Sequence, residues 1–305
     1  MAVLIPVAPQ FRPPLDPDFL PASLWNRAYR AAVAASGQAQ KLALALERSD
    51  GSVSTFRTEI FPHAGEWVAA NELYTERLLK FLLWQRGGYK VTVAGEPRAA
   101  AFLRQVYSPE GRRSFDFHFM GERVYGLPMQ IEATSHDDAP EERETAAALG
   151  RHLDGCRIGF DLGASDRKCA AVIDGEVVHS EEVVWDPSFK ADPQYHFDEI
   201  NDTLKRAAAH LSRVDAIGGS AAGVYVNNEV RVASLFRGVP PDLFNSRVRR
   251  LFFELQAAWG GVPFEVVNDG EVTALAGSMA LNDNAVLGVS MGSSQAGGYV
   301  TPQGN

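Results

Sequence analysis

Four residue types that together can handle a phosphate stand within one eight-residue stretch, Asp161, Gly163, Ser165 and Lys168. A glycine lets the backbone close on an anion, and successive N–H groups of such a turn form a phosphate-sized nest. Asp161 could then hold a metal ion that the phosphates share. Lys168 either reaches phosphate or lies along the surface of its own strand. An ordinary polar turn between two strands uses the same residue types, so these positions alone leave both readings open.

The flanking residues say what positions the turn. Ile158 and Phe160 lead in, and Cys169, Ala171 and Ile173 lead out, so residues 157–173 read as a strand, a tight turn and a strand. Three further polar clusters follow at strand ends. They are Gly218-Gly219-Ser220, Asn268-Asp269 and Gly292-Ser293-Ser294, the last running on through Gln295 and Ala296 to Gly297-Gly298.

This order resembles the ROK family (repressors, open reading frames and sugar kinases) of the actin-like ATPase and sugar kinase superfamily. That family has a first phosphate loop Asp-x-Gly-Gly-Thr, a catalytic Asn-Asp-Ala-Asn and a second phosphate loop Gly-Thr-Gly-x-Gly-Gly. The resemblance covers residues 155–303. It implies an α/β fold with a ribonuclease H-like, actin-like ATPase lobe (a mixed sheet with helices on both faces), and ATP and Mg²⁺ as cofactors. The implied activity is ATP-dependent phosphoryl transfer to a sugar or sugar-like hydroxyl, that of a carbohydrate kinase. The alternative is a non-catalytic sugar-sensing regulator. An ATP-hydrolysing interaction protein of the actin type is a third class, which the Asn268-Asp269 pair suits less well than it suits a sugar acceptor.

Within that resemblance Asp269 takes the place of the catalytic base that orients the attacking hydroxyl and accepts its proton. At a helix N-terminus it is expected to be ionised, and a plain N-cap is the competing reading. Asn268 suits a second sugar hydroxyl. Glu271 stands where the family has Asn and adds like charge beside the base, which would change sugar preference or mark a lineage without the reaction. Ser220 belongs to a substrate loop that lacks the family's proline. Asp161, Gly163, Ser165 and Lys168 form the first nucleotide loop, with Asp161 the Mg²⁺ ligand; Gly292, Ser293 and Ser294 form the second.

Composition sets the outer bounds. The 305 residues carry a net charge of −9, which argues against a nucleic-acid surface, and 46% hydrophobic with 22% charged residues is a globular balance. No apolar run is long enough to span a membrane. The opening residues lack a basic leader, and Cys156 and Cys169 are expected as buried free thiols, so a cytoplasmic setting is expected. The partners expected are a sugar and a nucleotide, with a homodimer left open.

Four regions are expected: a proline-rich extended arm at 1–21, an accessory α/β domain at 22–150, the first actin-like lobe at 151–282, and the start of an incomplete second lobe at 283–305. In the accessory region, helices are expected at 24–35, 71–86 (capped by Asn71, with the inward stripe Leu78, Phe81 and Leu82) and 97–106. Strands are expected there at 41–48, 53–61, 89–94, 115–119 and 129–132. It shows no basic recognition helix, which weighs against the family's repressors. His136-Asp137-Asp138 has metal-ligand residue types but sits in a polar stretch that reads as a linker. Downstream, a third antiparallel strand at 176–185, a helix at 197–213, a strand at 214–217, a helix at 242–259 capped by Asp242 and a strand at 264–267 are expected. A helix at 270–281 and strands at 286–290 and 297–300 follow. Val286, Leu287 and Val300 are expected to lack cover, and this chain by itself to be inactive and to bind ATP weakly.

Overall fold

The computed structural model describes residues 5–144, 149–292 and 295–304. The chain divides into two compact units, Met1–Thr145 and Ala146–Asn305. Among the described residues no helix is long and apolar enough to cross a membrane.

In the first unit, helix α1 (Ala22–Ala35) precedes the hairpin β1 (Gln40–Glu47) and β2 (Val53–Ile60). Helix α2 (Val68–Arg86), strand β3 (Lys90–Ala94), helices α3 (Pro97–Val106) and α4 (Ser114–His118), and strand β4 (Gln130–Thr134) follow. The sheet order is β2-β1-β3-β4, with β1 antiparallel to both neighbours and β3 parallel to β4. Residues 42–46 of β1, Leu-Ala-Leu-Ala-Leu, are all buried, so this sheet is covered on both faces.

Two expectations for this unit are corrected. Asn71 does not cap α2, which begins earlier at Val68. It is fully buried inside the helix, where it accepts from the Tyr29 hydroxyl at 2.5 Å and donates to the Phe61 carbonyl at 2.9 Å. Residues 115–119 form no strand, despite the alternation Phe-Asp-Phe-His-Phe. They lie in α4 and the π-helical turn Phe119–Tyr125 that continues it. Helical spacing brings Phe115 and Phe119 together (5.4 Å between centroids), with Phe119 on Trp84 at 5.2 Å. The same turn buries Asp116, which accepts from Lys80 Nζ at 2.9 Å and Trp84 Nε1 at 2.7 Å. Burying that carboxylate requires those donors, and a strand would not aim it at them.

The second unit opens with the antiparallel meander β5 (Cys156–Leu162), β6 (Asp166–Ile173) and β7 (Glu176–Val184). Helix α5 (Pro193–Ala208), strand β8 (Ala216–Ala221) and the small hairpin β9 (Val224–Val226) and β10 (Glu229–Val232) come next. Then come helices α6 (Pro241–Ser246) and α7 (Leu251–Ala258), strand β11 (Phe264–Val267), helix α8 (Asp269–Leu281) and the hairpin β12 (Val286–Met291) and β13 (Gln295–Val300). The main sheet runs β11-β8-β5-β6-β7, with β8 and β11 parallel to β5. An antiparallel meander whose first strand is extended by β8 and then β11, both parallel to it, is the ribonuclease H-like, actin-like lobe expected from sequence. The first unit does not repeat it, because its β1 and β3 run antiparallel.

One face of this sheet carries the core. Ile158, Phe160 and Leu162 on β5 pack with Ile200 and Leu204 of α5 and Phe252 and Leu255 of α7, and Cys156 and Cys169 are buried free thiols. Helix α5 starts earlier than expected because Asp192 caps it, accepting from the Gln194 N–H, with Pro193 in the first turn. The single helix expected at 242–259 is broken at Arg247, and Asp242 lies inside the first turn of α6 rather than capping it. Gly218-Gly219-Ser220, expected as a loop, lie within β8. A Cβ on Gly219 would fall 2.2 Å from the Phe160 ring, whereas one on Gly218, on the opposite face, meets nothing within 4 Å.

The hairpin β12–β13 seats on α8 through glycines. A Cβ on Gly288 would come 2.2 Å from the Ala274 nitrogen, and one on Gly298 2.3 Å from the Gly270 carbonyl oxygen. This closeness buries Val300 to 3% exposure and half-buries Val286, against expectation, while Leu287 on the far face stays 68% exposed.

Candidate functional site

Strand register builds the site. Asp161 pairs with Lys168 across β5–β6 and with Ser220 across β5–β8, so the three side chains form one cross-strand row. Alternation sends their neighbours Phe160, Leu162 and Cys169 into the core on the other face. Ser220 Oγ donates to Asp161 Oδ1 at 2.5 Å, and Lys168 Nζ lies 3.5 Å from Asp161 Oδ2. The row floors a cleft of about 620 Å³ whose lining also includes Gly159, Gly163, Asp269, Thr273 and Ser290.

The first loop closes on Asp166, a residue the sequence reading passed over. Gly163 N–H donates to its carbonyl at 2.9 Å, Ser165 Oγ to its Oδ2 at 2.9 Å, and Lys168 Nζ to its Oδ1 at 2.5 Å. The Lys168 bond, then the Ser165 bond, lowers the Asp166 carboxyl below its ordinary range; the same bond to Asp166 raises Lys168. The signal available in sequence was Asp166 two residues before a lysine at the start of a strand. Lys168 thus both borders the cleft and lies along the hairpin.

The second group sits at the C-terminal end of β11, where open α/β sheets bind ligands. Asn268, not Asp269, is the N-cap of α8: its Oδ1 accepts from Gly270 N–H at 2.9 Å and its Nδ2 donates to the Gly223 carbonyl at 2.7 Å. Glu271 closes the capping box by accepting from Asn268 N–H at 3.0 Å. Capping thus occupies the side chains of Asn268 and Glu271, and it leaves Asp269 to the cleft. Asp269 Oδ1 is buried and has no hydrogen-bond partner among the described residues. Burial first, and the Asp161 carboxylate second, push the Asp269 pKa above the ordinary carboxylate value, against the pull of its own backbone N–H. Desolvation and like charge thus act against the ionised form that the helix N-terminus favours.

Gly292 directly follows β12 in a bend with open space around its α-carbon, while Ser293 and Ser294 lie outside the described residues. His136 and Asp137 line a separate cavity of the first unit. Among the described residues no cluster of three or more His, Cys, Asp or Glu side chains could hold a metal ion. Mg²⁺ needs no such cluster, since it keeps several waters and shares phosphate oxygens, so the single carboxylate of Asp161 on the cleft floor fits it.

No family model matches the chain, and no curated protein matches it. Among solved structures it is similar to a putative N-acetylmannosamine kinase of Listeria monocytogenes, with 22% identity, TM-score 0.38, and 48% of this chain against 47% of that one. It is also similar to a ROK hexokinase of Thermus thermophilus, with 18% identity, TM-score 0.37, and 48% against 46%. A third is a ROK family transcriptional regulator described as a homologue of the E. coli MLC protein, with 16% identity, TM-score 0.38, and 76% against 55%. The chain spans about half the length of these structures. The strand order of its second unit is that of a ribonuclease H-like, actin-like lobe, and the motif order of the sequence resembles that of the ROK family.

Proposed function

We propose that the second unit contributes the acceptor-side half of an ATP-dependent phosphotransferase acting on a sugar or sugar-like hydroxyl. The observation that carries this reading is Asp269, a carboxylate with a buried oxygen that has no partner among the described residues, in a cleft it shares with Asp161. Its raised pKa makes it a better proton acceptor than an exposed aspartate. Asp269 would orient the acceptor hydroxyl and take its proton as the phosphoryl group transfers. Asp161 would hold Mg²⁺, which supplies charge neutralisation on the transferred group when nucleotide is bound. Lys168, Gly163 and Ser165 would turn toward phosphate by exchanging their bonds to Asp166, and Ser220 keeps the Asp161 carboxylate aimed. Gly292, with Ser293 and Ser294, would close on the phosphates from the other side.

In the full-length protein with ATP, Mg²⁺ and a panel of hexoses and N-acetylhexosamines, transfer of labelled γ-phosphate to sugar is the expected outcome. Replacing Asp161 with alanine should weaken Mg-nucleotide binding by calorimetry and leave metal-free nucleotide unaffected. Equal affinities in both conditions would remove Asp161 from the site.

A second reading, a sugar-binding regulator without phosphoryl transfer, draws on a different observation. The three donors of the first loop are all satisfied by Asp166, and capping and the Gly223 carbonyl occupy the side chains of Asn268 and Glu271. Saturable sugar binding by the full-length wild type with no phosphate transferred would favour it.

A further inference from the structure

The first unit has a groove that the proposed activity does not use. About 670 Å³ in volume, it runs between α1, β2 and α2. Its volume lies within the usual range of small-molecule sites, and its lining is mixed in the way such sites are.

The apolar part comes from Leu78 and Leu82, buried on α2, and from Phe81 between them, which sequence periodicity placed in the core and which is 61% exposed. Phe56 of β2 adds a second ring, 37% exposed, on the same groove. The polar part is basic: Arg30 of α1 and Arg77 and Arg86 of α2 all line it, against the single carboxylate of Glu142. Among the described residues none of these three arginines is in an ion pair. Arg48, Arg112 and Arg113 of the same unit, by contrast, pair with Glu144 and Glu76. Arg77 sits 5.5 Å from the centroid of the Trp25 ring, a cation–π contact that leaves its charge without a counter-ion. Asn26, also in the lining, has a buried Oδ1 without a hydrogen-bond partner among the described residues.

Unpaired guanidinium groups beside exposed rings, in a protein of net charge −9, describe a recognisable ligand chemistry. We infer that the groove between α1, β2 and α2 is a binding site for a small amphipathic carboxylate, its apolar body against Phe56, Leu78 and Phe81 and its anionic head on Arg30, Arg77 and Arg86. A neutral amphiphile would leave the arginines without a counter-charge. A bare inorganic anion would leave the apolar surface wet.

Calorimetric titration of the full chain with decanoate, with decanol as the uncharged control, tests this. Decanoate is expected to saturate one site per chain and to bind at least tenfold more tightly than decanol. Arg30→Ala and Arg86→Ala should each weaken decanoate severalfold, and Phe81→Ala should weaken both ligands. Arg30 and Phe81 are exposed, so their variants should keep the wild-type melting temperature, which a thermal scan checks. Non-saturable uptake, several sites per chain, no binding, or equal affinity across decanol and the arginine variants would each overturn the inference.

Discussion

The two larger sheets among the described residues use the same kinds of strand and arrive at different surfaces. In the first unit β1 is buried along residues 42–46 whichever way its side chains point, so the middle of that strand offers no polar side chain to a cleft. In the second unit β5 alternates buried and half-buried from Cys156 to Leu162, and its uncovered face carries Arg157, Gly159 and Asp161. A central strand covered on both faces can contribute to stability and little else. A strand with one face open can line up a carboxylate, an ammonium and a hydroxyl by register alone, as Asp161, Lys168 and Ser220 are. The polar lining of the first unit's groove accordingly comes from its helices and from β2 at the edge of the sheet.

The largest expected effect would break this comparison at its functional side. In the full-length protein Asp269→Asn should lower phosphoryl transfer about 100-fold or more, the worth of a positioned base, with nucleotide binding close to wild type. Activity within a few-fold of wild type would make the residue structural. The same substitution should stabilise the fold near neutral pH. A carboxylate whose pKa is raised on folding contributes its stability below the ordinary carboxylate range and loses it as pH rises through the raised value. Denaturant midpoints of wild type and variant should therefore converge in acid and diverge toward pH 7.

The structural side breaks at a buried charge. Asp116→Ala in the first unit removes a 1% exposed carboxylate that satisfies Lys80 and Trp84, and should cost about 3 kcal/mol by equilibrium denaturation. A change below about 0.5 kcal/mol would show that the α2–α4 contact rests on its stacked rings instead.

Two neighbouring glycines sharpen the contrast between faces of one sheet. Gly219→Ala drives a methyl into the Phe160 ring and should destabilise by about 1–3 kcal/mol, whereas Gly218→Ala, on the open face, should stay within about 0.5 kcal/mol. Equal costs for the two would mean that strand geometry rather than the core face sets the requirement.

The smallest effect concerns coupling within the cleft. Asp161→Asn should move the Asp269 titration downward, followed by NMR of its carboxyl carbon, because one of the two causes of its elevation is removed. Burial is the larger cause and persists, so the value should remain above that of an exposed aspartate.

Much of this was legible in the chain. The hairpin about Asp161, the strand at Phe264–Val267 and the helix at Pro97–Val106 follow from period and punctuation, because each is a local pattern bounded by its own turn residues. Motif order pointed to the ribonuclease H-like lobe through the family resemblance, since the motifs and their order can be read along the chain. What sequence could not supply was set by neighbours distant along the chain. The alternation at 115–119 gave way to a helix because Lys80 and Trp84 were there to satisfy Asp116. Phe81, periodic with buried leucines, faces a groove because α1 and β2 stop short of covering it. Asn268 took the cap, so Asp269 was released into the cleft, and the ionisation of Asp269 was decided by burial and by Asp161, which lies more than a hundred residues away in sequence. Spacing along the chain determines which side chains can share a strand or a helical turn; desolvation, cover and the field of a distant carboxylate exist only once those elements are packed.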